Sequence, residues 1–293
     1  MPPKTISRST RRPLVSPLRY PGGKSALYSR LRSIIERSDL TEITYVEPFA
    51  GGAGAGLALL VSGCVRRVVI NDLDPAIYAF WSTVKHESQW LIHKTMTAKL
   101  TIPEWRKQQE IYAAADTRDL ASLGFATFYL NRTNRSGVLN GGPIGGLDQS
   151  GSYKMDARFN REGLAQRFQL LSQFSESIHP ISADGINVIG EYCQQSNAFI
   201  YADPPYFEKA KSLYLNAFTF ADHKSLAATL NHHSDANWLL TYDRDPEVFN
   251  LYQDRRIREY QLNYSAHRVS KATELAVISD SLPDIDHGWT QPD

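Results

Sequence analysis

Cysteine is scarce: Cys64 and Cys193 are the only two in 293 residues. Two cysteines cannot build a disulfide framework, and neither lies in a Cys/His cluster of metal-binding spacing. Long apolar runs are missing too. A bilayer span takes roughly 18 to 20 apolar residues, and the best candidate, residues 53–64, is shorter and broken by Gly54, Gly56 and Gly63. No apolar stretch follows the basic N-terminal residues, so no secretory signal is expected. The eight histidines show no metal spacing. The expectation is a cytoplasmic protein that uses neither membrane nor metal.

What is present is ordinary in bulk and uneven in detail. Hydrophobic residues at 42% and charged residues at 22% are those of a folded globular chain. The net charge of +1 hides an asymmetry. Before residue 38 stand Lys4, Arg8, Arg11, Arg12, Arg19, Lys24, Arg30, Arg32 and Arg37 against Glu36 alone. A basic arm suits a polyanionic partner, because Lys and Arg contacts to phosphates supply sequence-independent affinity. A solvated tail has the same composition, so the arm alone does not choose.

The hydrophobic pattern divides the chain. Residues 1–15 read as a flexible basic arm. A helical stripe over 25–37 precedes a short β-type run at 43–47, the turn Gly51-Gly52-Ala53-Gly54, a helix at 55–61 and a second strand at 67–71 ending on Asp72. Strand, Gly-rich turn, helix, strand and acid make a βαβ unit of a nucleotide-binding α/β sheet. Residues 76–170 are first helical and then polar, with hairpin and turn signals at Asn140-Gly141-Gly142, Gly145-Gly146 and Gly151-Ser152. Strands resume at 198–202 and 238–242, with a helix at 223–231 between them and an antiparallel pair at 257–264 and 274–279. This predicts a catalytic domain of residues 16–75 and 171–293 interrupted by a mostly helical insertion, 76–170.

The sharpest motif is Asp203-Pro204-Pro205-Tyr206, directly after the strand at 198–202. Open α/β sheets bind ligands at the carboxyl ends of their strands. An exocyclic amino group on an aromatic base is a poor nucleophile, because its lone pair is delocalised into the ring. A carboxylate and a carbonyl oxygen that accept its hydrogens favour a more pyramidal nitrogen and stabilise developing positive charge. Asp203 offers the carboxylate and Pro204 a carbonyl on a stiff Pro-Pro loop. Tyr206 offers an aromatic face for a base drawn out of its helix. A rigid turn with a packed tyrosine is the bland alternative.

That motif resembles the catalytic motif of S-adenosylmethionine-dependent amino-methyltransferases, and the whole chain resembles their Dam-type (alpha-group) DNA adenine N6-methyltransferases. Val46-Glu47-Pro48-Phe49-Ala50-Gly51-Gly52 is similar to the family's cofactor loop, and Asn71-Asp72 to the acid that meets the cofactor ribose. Leu18-Arg19-Tyr20-Pro21-Gly22-Gly23-Lys24 is similar to the segment that closes over the methionine part. Phe128-Tyr129-Leu130-Asn131-Arg132 resembles the start of target recognition. Tyr264-Ser265-Ala266 and Glu274-Leu275-Ala276-Val277 resemble the last strands. The likeness runs from about residue 17 to 280 in the alpha-group order. It implies a Rossmann-like class I methyltransferase sheet with a target-recognition insertion containing a hairpin. It implies a site-specific, adenine-specific enzyme that uses S-adenosylmethionine, no metal, and base flipping in duplex DNA.

Carried onto this chain, the resemblance makes Asp203, Pro204 and Tyr206 catalytic. It assigns Tyr20, Lys24, Phe49, Gly51, Asp72 and Asp203 to the cofactor; Asp184, at the end of a probable strand, is placed to touch the cofactor adenine, with a helix N-cap as the other reading. Arg132, Asn134, Arg135 and Asn140 fall in the DNA-binding stretch, where Arg reads guanine and Asn reads adenine; a plain surface loop has the same composition. Ala53 departs from the pattern, standing where the family has a glycine. A monomer acting on bacterial or phage DNA, with a cognate restriction endonuclease as the further partner, completes the expectation. Two nucleotide motifs are discounted. A dinucleotide fingerprint counted from Gly52 and Gly54 meets Leu57 where glycine is required, and a P-loop ending at Gly23-Lys24-Ser25 meets Leu18. RNA adenine as the substrate, a nucleic-acid-binding protein with a vestigial cofactor site, and a NAD-dependent oxidoreductase are the rivals.

Overall fold

The computed structural model describes residues 15–19, 27–206, 218–265, 269–284 and 289–292. Seven strands form one sheet: β1 (Thr44–Glu47), β2 (Arg67–Asn71), β3 (Ile178–Ile181), β4 (Ala198–Ala202), β5 (Trp238–Asp243), β6 (Arg256–Ser265) and β7 (Val269–Ile278). Their order is β3-β2-β1-β4-β5-β7-β6. The first five run parallel, and β7 lies antiparallel between β5 and β6. The chain first builds outward from β1 to β3, then returns to the other side of β1 to lay down β4. A crevice opens where the order reverses, at the carboxyl ends of β1 and β4.

β1 and β4 are buried at every position, as strands covered on both faces must be. Alternate residues serve opposite layers. Tyr45, Phe199, Tyr201 and Leu239 face a large cluster that includes α1 (Tyr28–Arg37) and α2 (Gly54–Val61). Val46, Ile200, Leu240 and Tyr242 face α8 (Gly185–Tyr192), α9 (Phe220–His232) and α10 (Pro246–Leu251). The Tyr45 ring stacks on Phe199 and Tyr201 at centroid distances of 5.9 and 6.4 Å, an aromatic rail across the first face.

Between β2 and β3 come α3 (Pro75–His86), α4 (Ser88–Thr97), α5 (Ile102–Ala114), α6 (Leu120–Thr133) and α7 (Arg161–Ser172). Polar residues start four of them. Asp74, Thr101, Asp119 and Asn160 each accept a backbone N–H of the first turn, and Pro75 occupies the first helical position of α3. The apolar faces of these helices join the same cluster as α1, α2 and the sheet, so the expected insertion has no core of its own. α7 also runs across the boundary expected at residue 170. Within the polar stretch the hairpin signals amount to one antiparallel bridge, Asn134 to Pro143, flanked by turns and short 3-10 segments. The basic arm falls almost wholly on residues 1–14, outside those described.

Candidate active site

The crevice is built from three strand ends. β1 delivers Glu47 and the loop Pro48-Phe49-Ala50-Gly51-Gly52-Ala53, β2 delivers Asn71 and Asp72, and β4 delivers Asp203. Hydrogen bonds from several elements fix the β1 loop. The buried Asn71 amide donates to the carbonyls of Pro48 (2.7 Å) and Ala183 (3.0 Å), while its oxygen accepts Ala183 N–H at 2.9 Å. The Trp81 indole donates to Gly51 O at 2.9 Å, and the Ser16 hydroxyl to Gly52 O at 2.6 Å. Ala53 takes φ 44°, ψ 32°, the left-handed region that favours glycine, and stands at the start of α2. The alanine thus occupies the family's glycine position in a glycine-like conformation.

Asp72 is half-buried and committed to this loop. Its carboxylate accepts Gly51 N–H at 2.9 Å through one oxygen and Asp74 N–H at 3.0 Å through the other. Desolvation pushes its pKa up to about 6, partly offset by those two donors. Phe49 is partly exposed, edge-on to Phe218 at 5.4 Å. Gly185 packs on this ring so closely that a Cβ there would collide with Phe49 Cε1. Asp184 is exposed and caps α8, accepting the N–H groups of Ile186 (2.9 Å) and Asn187 (3.1 Å). Tyr20 and Lys24 lie outside the described residues.

Asp203 stands one residue beyond β4. Its Oδ1 accepts the Thr241 hydroxyl at 2.8 Å and the Tyr206 hydroxyl at 3.1 Å. Tyr206 is 9% exposed, its ring 6.3 Å from Tyr242 in a tilted arrangement. Its hydroxyl is thus turned to Asp203, and its ring is packed at the mouth of the second layer instead of standing free for a base. Further polar side chains complete the surroundings. The Tyr201 and Thr241 hydroxyls are hydrogen-bonded at 3.0 Å inside the sheet. Glu47, 5% exposed, accepts Gly56 N–H at 2.8 Å, and burial raises its pKa to about 8, with the nearby Asp203 charge adding to the rise. Behind Tyr206, His223 Nδ1 and the Tyr242 hydroxyl are 2.7 Å apart, and burial lowers the histidine to about 4, so it is neutral.

The four expected DNA-binding residues separate. Arg135 and Asn140 are exposed on the loop after α6. Asn134 is fully buried: its oxygen accepts the Trp105 indole N–H at 2.7 Å, and its amide donates to the carbonyls of Val138 and Leu139, both at 2.9 Å. It is a strut of the loop, its side-chain oxygen and both amide hydrogens engaged within the protein. Arg132 is 7% exposed, and burial, then the charges of Arg167, Arg19 and Arg158, lower it to about 9. The neighbouring Asn131 clasps Arg19, accepting its N–H at 2.7 Å and donating to its carbonyl at 2.8 Å. The Arg167 guanidinium donates to Ser16 O at 2.8 Å. These bonds tie the N-terminal segment to the end of α6 and to the crevice loop. Among the described residues no group of three His, Cys, Asp or Glu side chains could hold a metal ion, and no helix is long and apolar enough to cross a membrane.

The family model of D12 class N6 adenine-specific DNA methyltransferases matches residues 20–271. The chain belongs to this family. It is an adenine-specific DNA methyltransferase, and the methyl donor of such an enzyme is S-adenosylmethionine. Among similar proteins is a type II methyltransferase, M.MjaIII, of Methanocaldococcus jannaschii, 23% identical over 219 residues, 70% of this chain and 73% of that protein. A DNA adenine methylase of Vibrio cholerae is 24% identical over 230 residues, 72% of this chain and 73% of the relative. A solved SAM-dependent methyltransferase from Agrobacterium tumefaciens aligns with a TM-score of 0.42 at 11% identity, over 88% of this chain and 62% of the other.

Proposed function

We propose that this methyltransferase draws the target adenine out of duplex DNA into the crevice between β1 and β4, with Asp203, Pro204 and Tyr206 as its catalytic residues. The carrying observation is the position of Asp203, at the end of β4 with Oδ1 held by Thr241 and Tyr206. It follows the strand next to the one that feeds the Glu47–Ala53 loop, where the strand order reverses. Two reactants bound at adjoining strand ends are brought together without diffusion, which supplies much of the rate of a bimolecular transfer. Asp203 and the Pro204 carbonyl accept the hydrogens of the adenine amino group, so its nitrogen lone pair is aimed at the methyl carbon. The Tyr206 ring, released from its bond to Asp203, stacks on the flipped base.

The donor set of the β1–β2 side suits S-adenosylmethionine. The half-buried Asp72 carboxylate is matched to a ribose diol, Gly51 to a close backbone approach, and Phe49 to an apolar contact. Bound there, the cofactor supplies a sulfonium-activated methyl group. Tyr20 and Lys24 close the methionine end. The cluster of Arg19, Arg132, Arg158 and Arg167, with the exposed Arg135 and Asn140, faces DNA. The enzyme works as a monomer in the cytoplasm, with a cognate restriction endonuclease as its functional counterpart.

The test is nucleoside mass spectrometry on DNA and RNA from a host that lacks its own adenine methylation. N6-methyladenine is expected in DNA with the wild-type protein and absent with Asp203→Ala. Product in both strains would remove Asp203 from the chemistry, and product confined to RNA would change the substrate.

A further inference from the structure

A hydroxyl has one proton to give. Thr241 Oγ1 is 2.8 Å from Asp203 Oδ1, where a carboxylate oxygen can only accept, so the Thr241 proton points at Asp203. The other hydroxyl contact of Thr241, to Tyr201 at 3.0 Å, must then run the opposite way, with Tyr201 donating. The result is a directional chain, Tyr201 to Thr241 to Asp203. Both hydroxyl residues are interior, Thr241 at 0% and Tyr201 at 3% exposure. Bonds aligned head to tail in a low-dielectric interior polarise one another, and the last acceptor is the group that gains.

The sheet sets up this chain. Tyr201 and Asp203 are two residues apart and share the face that carries the Tyr45 rail. β5 pairs with β4 up to Ala202↔Leu240, which puts Thr241 opposite the point where Asp203 leaves the strand. On its other side Thr241 is paired with Ala276 of β7. A residue held between two neighbouring strands, with χ1 stiffened by β-branching, is a rigid mount. Asp203 itself stands on a loop and has no ladder of its own.

We infer that Thr241 is a positioning residue of this enzyme: its hydroxyl, oriented by Tyr201, fixes the plane of the Asp203 carboxylate for the amino group that is to be methylated. With Oδ1 bonded to both Thr241 and Tyr206, rotation of the carboxylate about its last torsion breaks two hydrogen bonds. When Tyr206 turns to stack on a base, its bond is given up and Thr241 remains as the fixed point on Oδ1. The inference rests on the proposed role of Asp203, and its test keeps the two apart.

The experiment measures methyl transfer from labelled S-adenosylmethionine to plasmid DNA free of adenine methylation, for wild type, Thr241→Val, Thr241→Ser, Tyr201→Phe and Asp203→Ala. Valine keeps the shape and β-branching and removes the hydroxyl. Loss of one hydrogen bond to a charged group is expected to lower kcat about 10- to 100-fold, with the KM for S-adenosylmethionine within about twofold of wild type. Serine, which keeps the hydroxyl, should restore most of that loss, and Tyr201→Phe should fall between. Thr241→Ala, which adds no volume, carries the same comparison should the valine variant not fold. Equal kcat in wild type and Thr241→Val overturns the inference, as does a serine variant as slow as valine, which would mean that the methyl packing matters. Activity retained in Asp203→Ala would instead overturn the role of Asp203.

Discussion

The Trp105 indole donates to the Asn134 side-chain oxygen at 2.7 Å, joining α5 to the loop that follows α6 through a bond wholly inside the protein. The same asparagine spends its two amide hydrogens on Val138 and Leu139, so one side chain closes a six-residue loop and anchors it to a neighbouring helix. Asn134→Ala strands an indole donor and two carbonyls. Removing such buried partners costs about 2 to 4 kcal/mol in all. Chemical denaturation should register that loss, with the loop that carries Arg135 and Asn140 loosened. A variant of wild-type stability with an altered DNA sequence preference would instead assign Asn134 to the DNA.

Glu47 gives a pH dependence with a definite sign. Its ordinary value is 4.5 and its folded value is about 8. Between those limits the folded protein holds a proton that the unfolded chain has released. The contribution is therefore complete below pH 4.5 and is lost as pH rises through 8. Glu47→Gln keeps the shape and the acceptor for Gly56 N–H but cannot ionise. Urea unfolding at pH 5 and pH 8 should show wild type losing about 3 kcal/mol more than the glutamine variant over that interval. Parallel losses in the two proteins would show that Glu47 is already ionised in the fold.

How much of this could be read from the chain depends on what each residue answers to. β2 and β4 were legible to the residue, because buried parallel strands are short apolar runs bounded by turns and acids. The strand-end positions of Asp203 and Asp72 were legible because each acid directly follows such an apolar run. α7 was overlooked, although Leu164, Phe168 and Leu171 fall on one helical stripe, because Gly-rich turns upstream gave the whole stretch the look of a loop. Asn134 and Thr241 carry no local signal. An asparagine after a helix is as suited to a groove as to a core, and only the packing of α5 decides. Thr241 in a strand is an ordinary β-former until pairing with β4 brings it beside Asp203.

Ala53 gives a third prediction, on the cofactor side. At φ 44° the backbone is one that costs an L-residue about 1 kcal/mol. Glycine relieves that cost but gives the unfolded chain a comparable freedom, about 0.4 to 1 kcal/mol. Ala53→Gly should then leave stability within about 0.5 kcal/mol of wild type, by the balance of these two effects. Calorimetric affinity for S-adenosylmethionine should be unchanged. Ala53→Val puts a β-branched residue into the left-handed region at a site only 2% exposed, and should lose both stability and cofactor affinity. Tighter cofactor binding by the glycine variant would show that the alanine impairs the loop.

The arginine cluster sets affinity against stability. Arg158 is exposed, and its charge, after burial and the charges of Arg167 and Arg19, adds to the lowering of Arg132. In the free protein these like charges repel, so removing Arg158 should leave the melting temperature unchanged or raise it. In the complex the same charge would neutralise a DNA phosphate and release a counterion. Each such contact contributes about 0.9 to the slope of log affinity against log salt for B-form DNA. Arg158→Ala and Arg135→Ala should each weaken binding to duplexes of any sequence and flatten that slope by about 0.9, and the double variant by about twice that. Fluorescence anisotropy across a salt series reads the slope, and a melting curve reads the stability. A slope equal to wild type in both variants would place the DNA elsewhere. A lower melting temperature on loss of Arg158 would mean that its charge is paired rather than waiting for an anion.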